Sequence, residues 1–262
     1  MRARLLLASL LMAPALMAPA LMAAAPQAKP KTPARTQPIT VTWLGHAAFE
    51  VVSSGGTHLL LDPFLIKDPA TPEAFKDLAR YKPDAILVTH SHMDHMADAA
   101  ALAKQSGAPV IAAYELAATL GLPEKQTMGG NVGGTFTIGD VTIHLVPAMH
   151  GSEPGGRPMG FVLTFKDGRS LYHTGDTWIF GDMSLIQELF HPSILLLGVG
   201  GGPYTEDPAT AALAVRKYFH PSVIVPMHYG TFPGLATEDQ VRGAFKGDQR
   251  LHVMKPGDTV KF

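Results

Sequence analysis

The segment Thr89-His90-Ser91-His92-Met93-Asp94-His95, directly after the apolar run Ala85-Ile86-Leu87-Val88, constrains this chain more than any other stretch. Three imidazoles and a carboxylate cannot crowd together cheaply unless something positive draws them in. The run holds no lysine or arginine, so a metal ion is the economical explanation. His90 and His92 stand two apart, which suits a tight loop leaving a strand, where alternate side chains face one way. Asp94 and His95 fall on the following turn and can face a second ion. The competing reading is a polar strand-to-helix connection with chance histidines.

A short grammar places this cluster in a fold. Tyr81-Lys82-Pro83-Asp84-Ala85-Ile86, Phe190-His191-Pro192-Ser193-Ile194-Leu195 and Phe219-His220-Pro221-Ser222-Val223-Ile224 each join a predicted helix to an apolar strand. Proline stops the helix, and the aromatic residue before it can fold back on the core. The three strands run into His90, Gly198 and His228, at the strand ends where α/β folds build their sites. His191 and His220 are thereby junction residues rather than ligands.

Further elements follow from pattern and caps. Strands are expected at Thr40–Leu44 and over Pro109–Ala112, Thr135–Ile138, Val141–Val146, Gly160–Phe165 and Ser170–His173. A hairpin is expected from Ala48–Ser53 and Thr57–Leu61. Helices are expected from Thr71-Pro72-Glu73 to Arg80, over Ala97–Gln105 closed by Gly107, and over Met183–Phe190. Two more are Pro208–Phe219, capped by Asp207, and Glu238–Phe245, with Thr237 and Gln240 as a capping box.

With 262 residues and 46% hydrophobic content, the chain can bury a sizeable core in one domain. Arg2 and Arg4 precede a Leu, Met and Ala run out to Ala25, which reads as a signal peptide over residues 1–25. Pro14 and Pro19 weigh against a membrane anchor. Residues 26–38, rich in Pro, Lys, Thr and Gln, read as a flexible linker, leaving 39–262 as the folded domain. The expectation is therefore an exported protein, periplasmic or secreted, with no stable membrane insertion once the signal is removed. A formal charge of −1 gives no basic footprint for nucleic acid. Cysteine is absent, so any metal must sit on nitrogen and oxygen ligands.

Two ions need more ligands than the cluster supplies. His150, Asp176 and His228 each follow a predicted strand, and each is flanked by Gly or Pro that can hold an unusual backbone. Taken with the cluster, they complete two coordination shells. His46 ends the first strand beside Gly45; it either supports a ligand or faces substrate, or is a strand-end histidine bonded locally. His173 is a candidate to support the Asp176 loop, whereas His58, His144 and His252 are expected to be solvated. The Gly198–Gly202 run lacks a following Lys-Ser/Thr, which argues against a phosphate cradle and for a wall beside the metals.

Together with Trp43-Leu44-Gly45-His46-Ala47-Ala48-Phe49, Tyr172-His173-Thr174-Gly175-Asp176-Thr177, Phe180-Gly181-Asp182-Met183 and Pro226-Met227-His228-Tyr229, this set resembles the metallo-β-lactamase-fold hydrolase superfamily. It is most similar to the small branch of ascorbate-6-phosphate lactonase-like and uncharacterised metal-dependent hydrolases. The resemblance implies an α/β fold, a four-layer αββα sandwich of two mixed sheets flanked by helices. It also implies two divalent ions, zinc first and manganese second. His90, His92 and His150 would hold one, Asp94, His95 and His228 the other, and Asp176 would bridge them. One departure is Gly200-Gly201-Gly202-Pro203, where close relatives usually carry Thr-Met-Gly-Pro, which alters one site wall.

The expected function is hydrolysis of an ester, lactone or phosphodiester-like bond in a small molecule by a metal-bridging hydroxide. Asp94 and His46 are the candidate catalytic residues, Asp94 orienting the nucleophile or shuttling a proton. The alternatives are a β-lactamase-type amide hydrolase and a non-catalytic metal-binding protein. Zinc β-lactamases generally carry Cys or Ser, not Asp, at the position of Asp176. Asp62-Pro63-Phe64 and Trp178-Ile179-Phe180 are read either as an apolar pocket wall or as core.

Overall fold

A computed structural model describes residues 37–262. The expected leader over 1–25 and all but the last two residues of the expected linker over 26–38 lie outside the described residues.

Among the described residues, thirteen strands form two mixed sheets. In the first, β1 (Thr40–Gly45), β2 (Ala48–Val52) and β3 (His58–Leu61) run as an antiparallel meander. β4 (Ala85–Leu87), β5 (Val110–Ala113) and β6 (Thr127–Gly130) then add in parallel. The second sheet repeats the plan. β7 (Thr135–Ile138), β8 (Val141–Pro147), β9 (Met159–Phe165) and β10 (Ser170–His173) are antiparallel neighbours, followed by parallel β11 (Ile194–Gly198) and β12 (Val223–Met227). A short β13 (Thr259–Lys261) closes the first sheet beside β1.

Burial follows from that arrangement. β4 and β11 are buried along their whole length, as parallel strands covered on both faces must be. In β8, Val141, Ile143 and Leu145 are buried while Thr142 and His144 are half-buried, the period-two pattern of a strand with one core face. Large buried side chains such as Phe49, Phe161 and Tyr172 fill the centre, each worth about 1.5–3 kcal/mol of transfer free energy.

Of the helices, α1 (Met93–Met96) is a single turn. α2 (Ala99–Ser106) and α3 (Tyr114–Thr119) pack on β5, and α3 also on β6. α4 (Met183–Phe190), α5 (Pro208–Tyr218) and α6 (Glu238–Ala244) form a contiguous layer. Phe190, at the end of α4, stacks on His144 of β8, and Phe219, just after α5, packs on Tyr172 of β10. The result is the expected αββα sandwich.

The caps behave as their chemistry dictates. The Asp207 carboxylate accepts from the Ala209 and Thr210 amides, and Thr237 with Gln240 forms a reciprocal capping box. Gly107 ends α2 at a φ of 82°, a left-handed conformation that glycine adopts without steric cost.

One expected helix is corrected. Thr71–Arg80 is two 3-10 turns, Glu73–Phe75 and Leu78–Arg80, because Asp77 turns its side chain back to the Ala79 amide and restarts the chain. Among the described residues, no helix is long and apolar enough to cross a membrane.

Candidate metal centre

The C-terminal ends of β1, β3, β4, β10 and β12 converge on one edge of the sandwich. β1 delivers His46 and β3 delivers Asp62. The loop after β4 delivers His90 and His92, α1 delivers Asp94 and His95, and the loops after β8, β10 and β12 deliver His150, Asp176 and His228. His46, Asp62 and His228 all take a positive φ, of 44°, 44° and 64°. Left-handed backbone is uncommon outside glycine, and its recurrence at three neighbouring strand ends is local strain held by the surrounding packing. The two sheets are tied together here: the His228 amide donates to the His46 carbonyl, and His173 Nε2 donates to the Ala47 carbonyl at 3.0 Å.

Three imidazole nitrogens meet first. His92 Nδ1 lies 2.9 Å from His90 Nε2 and 3.2 Å from His150 Nε2. A single proton shared among three such nitrogens can serve only one pair at a time, whereas a cation at their centre serves all three. Nitrogens about 2.0–2.1 Å from a tetrahedral zinc ion would stand roughly 3.3 Å apart, close to the observed spacing. His90 is already turned for this, since its Nδ1 donates to the Thr89 hydroxyl (3.0 Å) and that hydroxyl donates to Asp62 (2.7 Å).

A second set faces it. His46 Nε2 donates to Asp94 Oδ2 at 3.0 Å, and the same oxygen is 3.7 Å from His228 Nε2 and 4.0 Å from His95 Nε2. Asp176 stands between the sets. Its Oδ2 lies 3.0 Å from His228 Nε2 and 3.6 Å from His150 Nε2, and its Oδ1 lies 3.4 Å from His95 Nε2.

Several of these buried atoms have no hydrogen-bond partner: His95 Nε2, both nitrogens of His228 and Asp176 Oδ1. Buried polar atoms left unpaired cost about 1–3 kcal/mol each, and three of these, His95 Nε2, His228 Nε2 and Asp176 Oδ1, face one another and ask for a cation. The donor set fits divalent metal: among the described residues, His46/Asp94/His95/His228, His90/His92/His150 and His90/His95/Asp176 each converge within 4.8 Å.

Electrostatics agrees. Burial opposes charge on Asp94 and Asp176, yet both carboxyls are held well below the usual range, Asp94 by the facing His228 imidazole and the His46 hydrogen bond, Asp176 by the charges of His228 and His95. Burial would lower His95 and His228, but the carboxylates overcome it, Asp176 above all; His95 is raised and His228 reaches about 9. His46 lies apart from that balance. Burial lowers it to about 4 against the opposing Asp94 hydrogen bond, so it is a neutral donor to Asp94 at physiological pH.

The eight residues singled out in the sequence therefore lie together. Asp62 was missed. Its signal is a carboxylate at the very end of an apolar strand, within the Asp62-Pro63-Phe64 stretch that the sequence presents as pocket wall or core. It is fully buried and accepts from the Thr89 amide, the Thr89 hydroxyl and His95 Nδ1. His173 does support the Asp176 loop, with Nδ1 accepting from the Gly175 amide. His191 closes α4 in the left-handed region and His220 is exposed, so both sit at junctions. The Gly198–Gly202 run passes beside His228; a Cβ on Gly200 would collide with His228 Nδ1 and its carbonyl oxygen.

Comparison with known proteins gives a consistent pattern. Residues 40–228 match the family described as the β-lactamase superfamily domain. A UPF0173 metal-dependent hydrolase of Anaeromyxobacter dehalogenans is 44% identical over 238 residues, 85% of this chain and 86% of the relative. One from Pyrobaculum arsenaticum is 41% identical over 229 residues, 85% of this chain and 99% of the relative. Among solved structures, Igni18, a metallo hydrolase from the archaeon Ignicoccus hospitalis, superposes with a TM-score of 0.76 at 36% identity, over 86% of this chain and 98% of that one.

These relatives correct the expectation of export. The match takes in 99% of the Pyrobaculum relative, leaving it no room for a leader outside the shared domain. The apolar start that prompted the expectation lies outside the described residues.

Proposed function

The chain belongs to the metallo-β-lactamase superfamily of metal-dependent hydrolases, and from that premise we propose that it cleaves an ester, lactone or phosphodiester-like bond of a small molecule at a two-metal centre. His90, His92 and His150 would hold one divalent ion, and Asp94, His95 and His228 the other, with Asp176 shared between them. A nitrogen-rich set without cysteine suits zinc first and manganese second. When bound, such ions supply Lewis acidity, acidifying coordinated water and polarising the bond under attack.

The observation that carries this reading is the position of Asp176, whose Oδ2 is 3.0 Å from a nitrogen of one histidine set and 3.6 Å from a nitrogen of the other. A buried carboxylate in that place has two sites to serve. The chain's own groups then divide the remaining work. Asp94 lines the open cavity, is ionised, and is held by the His46 N–H, so it can accept a hydrogen bond from an attacking water and orient it. His46, fully buried and neutral, fixes the Asp94 carboxylate in that orientation by donating its Nε2–H. Phe64 and Phe232 flank His46 and limit the access of bulk water to this side of the site.

The test is a hydrolysis screen on zinc- and manganese-loaded protein, covering esters, lactones, phosphodiesters and a chromogenic cephalosporin. Turnover in at least one of the first three classes is expected. Turnover of the cephalosporin alone would replace this reading with amide hydrolysis, and turnover of none would favour a non-catalytic metal-binding role.

A further inference from the structure

The cavity above the histidine and aspartate cluster has a volume of about 550 Å³. That lies within the range of about 300–1,000 Å³ usual for small-molecule sites. Its polar groups are concentrated at the floor, where His92, Asp94, His150, Asp176 and His228 face it. The walls are Phe64, Met93, Tyr204, Phe232, Pro233 and Leu235. Among the described residues, no lysine, arginine, asparagine or glutamine lines it, and the Tyr204 hydroxyl is the one wall group able to hydrogen-bond through a side chain.

The walls are organised around aromatic rings. Phe64 and Phe232 lie 6.3 Å apart, and both meet His46 edge-on, at 6.3 and 5.4 Å. Phe64 is almost completely buried, while Met93 and Tyr204 are largely exposed at the rim. Two further exposed apolar residues are carried by the loops that deliver His150 and Asp176. The Trp178 amide donates to the Met149 carbonyl, and both side chains are more than half exposed next to His150 and Asp176 in the chain. Met93, Tyr204 and Phe232, exposed together around a polar-floored cavity, mark a binding surface rather than scattered surface residues.

This arrangement selects by charge. A phosphate or carboxylate remote from the scissile bond needs an arginine fork, a lysine or a nest of amides to replace its water, and the walls supply no such side chain. A neutral hydrocarbon or aryl group loses little on entering and gains by burial. Accepting the hydrolase reading on which this rests, we infer that the substrate is an uncharged ester or lactone carrying an apolar acyl or aryl group. The apolar group is seated between Phe64, Phe232 and Tyr204, and the reacting carbonyl is at the cluster. Sugar phosphates and other substrates with a charged group away from the scissile bond are disfavoured.

The experiment uses zinc-loaded full-length protein and a homologous series of p-nitrophenyl alkanoates of about two to eight carbons, with matched lactones and with esters ending in a carboxylate or phosphate. kcat/KM should climb about two- to fourfold per added methylene until the cavity is filled. It should fall by roughly 100-fold or more when the tail carries a charge. In Phe232→Ala, and in the exposed Tyr204→Ser should Phe232→Ala fold poorly, the gain per methylene should shrink to below about 1.5-fold. Calorimetry of non-hydrolysable straight-chain methyl ketones on the same loaded protein should show a negative heat-capacity change that grows with chain length. Hydrolysis with a flat chain-length profile, or a preference for charged tails, overturns this inference and leaves the hydrolase reading standing. Chain-length-dependent ketone binding with no turnover of any ester, lactone or diester refutes the hydrolase reading instead. Neither binding nor turnover refutes both.

Discussion

Asp62 Oδ2 lies 2.8 Å from His95 Nδ1, and the same carboxyl group reaches His90 through the hydroxyl of Thr89. One buried carboxylate therefore fixes the tautomer of a histidine in each of the two proposed metal sets, leaving both Nε2 atoms bare and facing the site. Asp62→Ala should weaken metal binding about 10- to 100-fold at both positions, as read by competition with a chromophoric chelator. Thr89→Val removes only the branch to His90 and should weaken one ion and spare the other. Equal loss of both ions in Thr89→Val would contradict this division.

His46 tests whether the Asp94 carboxylate needs holding. His46→Asn keeps a residue that tolerates the left-handed backbone at this position but shortens the donor. Turnover should fall by roughly 10- to 100-fold while the metal content of the purified variant is unchanged. A matching loss of metal would make His46 part of the metal shell rather than a support for Asp94.

Sequence alone made most of the site legible, because ligands need fixed residue types at strand ends. The run from His90 to His95 and the later His150, Asp176 and His228 are chemically conspicuous wherever the chain carries them. Asp62 was harder to see, since a single aspartate after an apolar strand becomes meaningful only when His95 and Thr89, 33 and 27 residues away, fold against it. In the fold, β6 escaped because Gly129 and Gly130 have poor strand propensity. They are there because a Cβ at Gly129 would strike the backbone of Tyr114, and one at Gly130 would strike Phe136 and Leu145. α3 carries no side-chain cap at its start and β13 is only three residues long, so neither announces itself locally.

Glu206 gives a pH signature independent of the metal centre. It is buried with both carboxylate oxygens unpaired, and burial, reinforced by the charge of Asp207, pushes its pKa up to about 8. Below about pH 4.5 it is protonated in both folded and unfolded chains. Between there and pH 8 only the unfolded chain ionises, so stability falls as pH rises, levelling off above 8. Glu206→Gln keeps the shape without the proton and should be more stable than the parent at pH 7 by about 2–3 kcal/mol, with little difference at pH 4. Urea unfolding at both pH values reads this directly; an equal effect at both would remove titration as the cause.

Gly200 tests how tightly the wall is drawn around His228. Its Cβ position is occupied by His228 Nδ1 and by the His228 carbonyl, and a backbone oxygen cannot swing aside as a side-chain tip can. Gly200→Ala should cost about 1–3 kcal/mol in stability and displace His228, lowering affinity for one ion. Chelator competition and thermal melts of the variant should move together; a destabilised variant with parental metal affinity would show that His228 does not serve as a ligand.

The central claim is that two ions share Asp176, and metal stoichiometry measured by elemental mass spectrometry on purified, zinc-loaded protein tests it most directly. The account requires about two equivalents per chain, about one in His92→Ala, and loss of at least one in Asp176→Asn with the remaining ion weakened. A single equivalent in the parent, or two retained in Asp176→Asn, would contradict it.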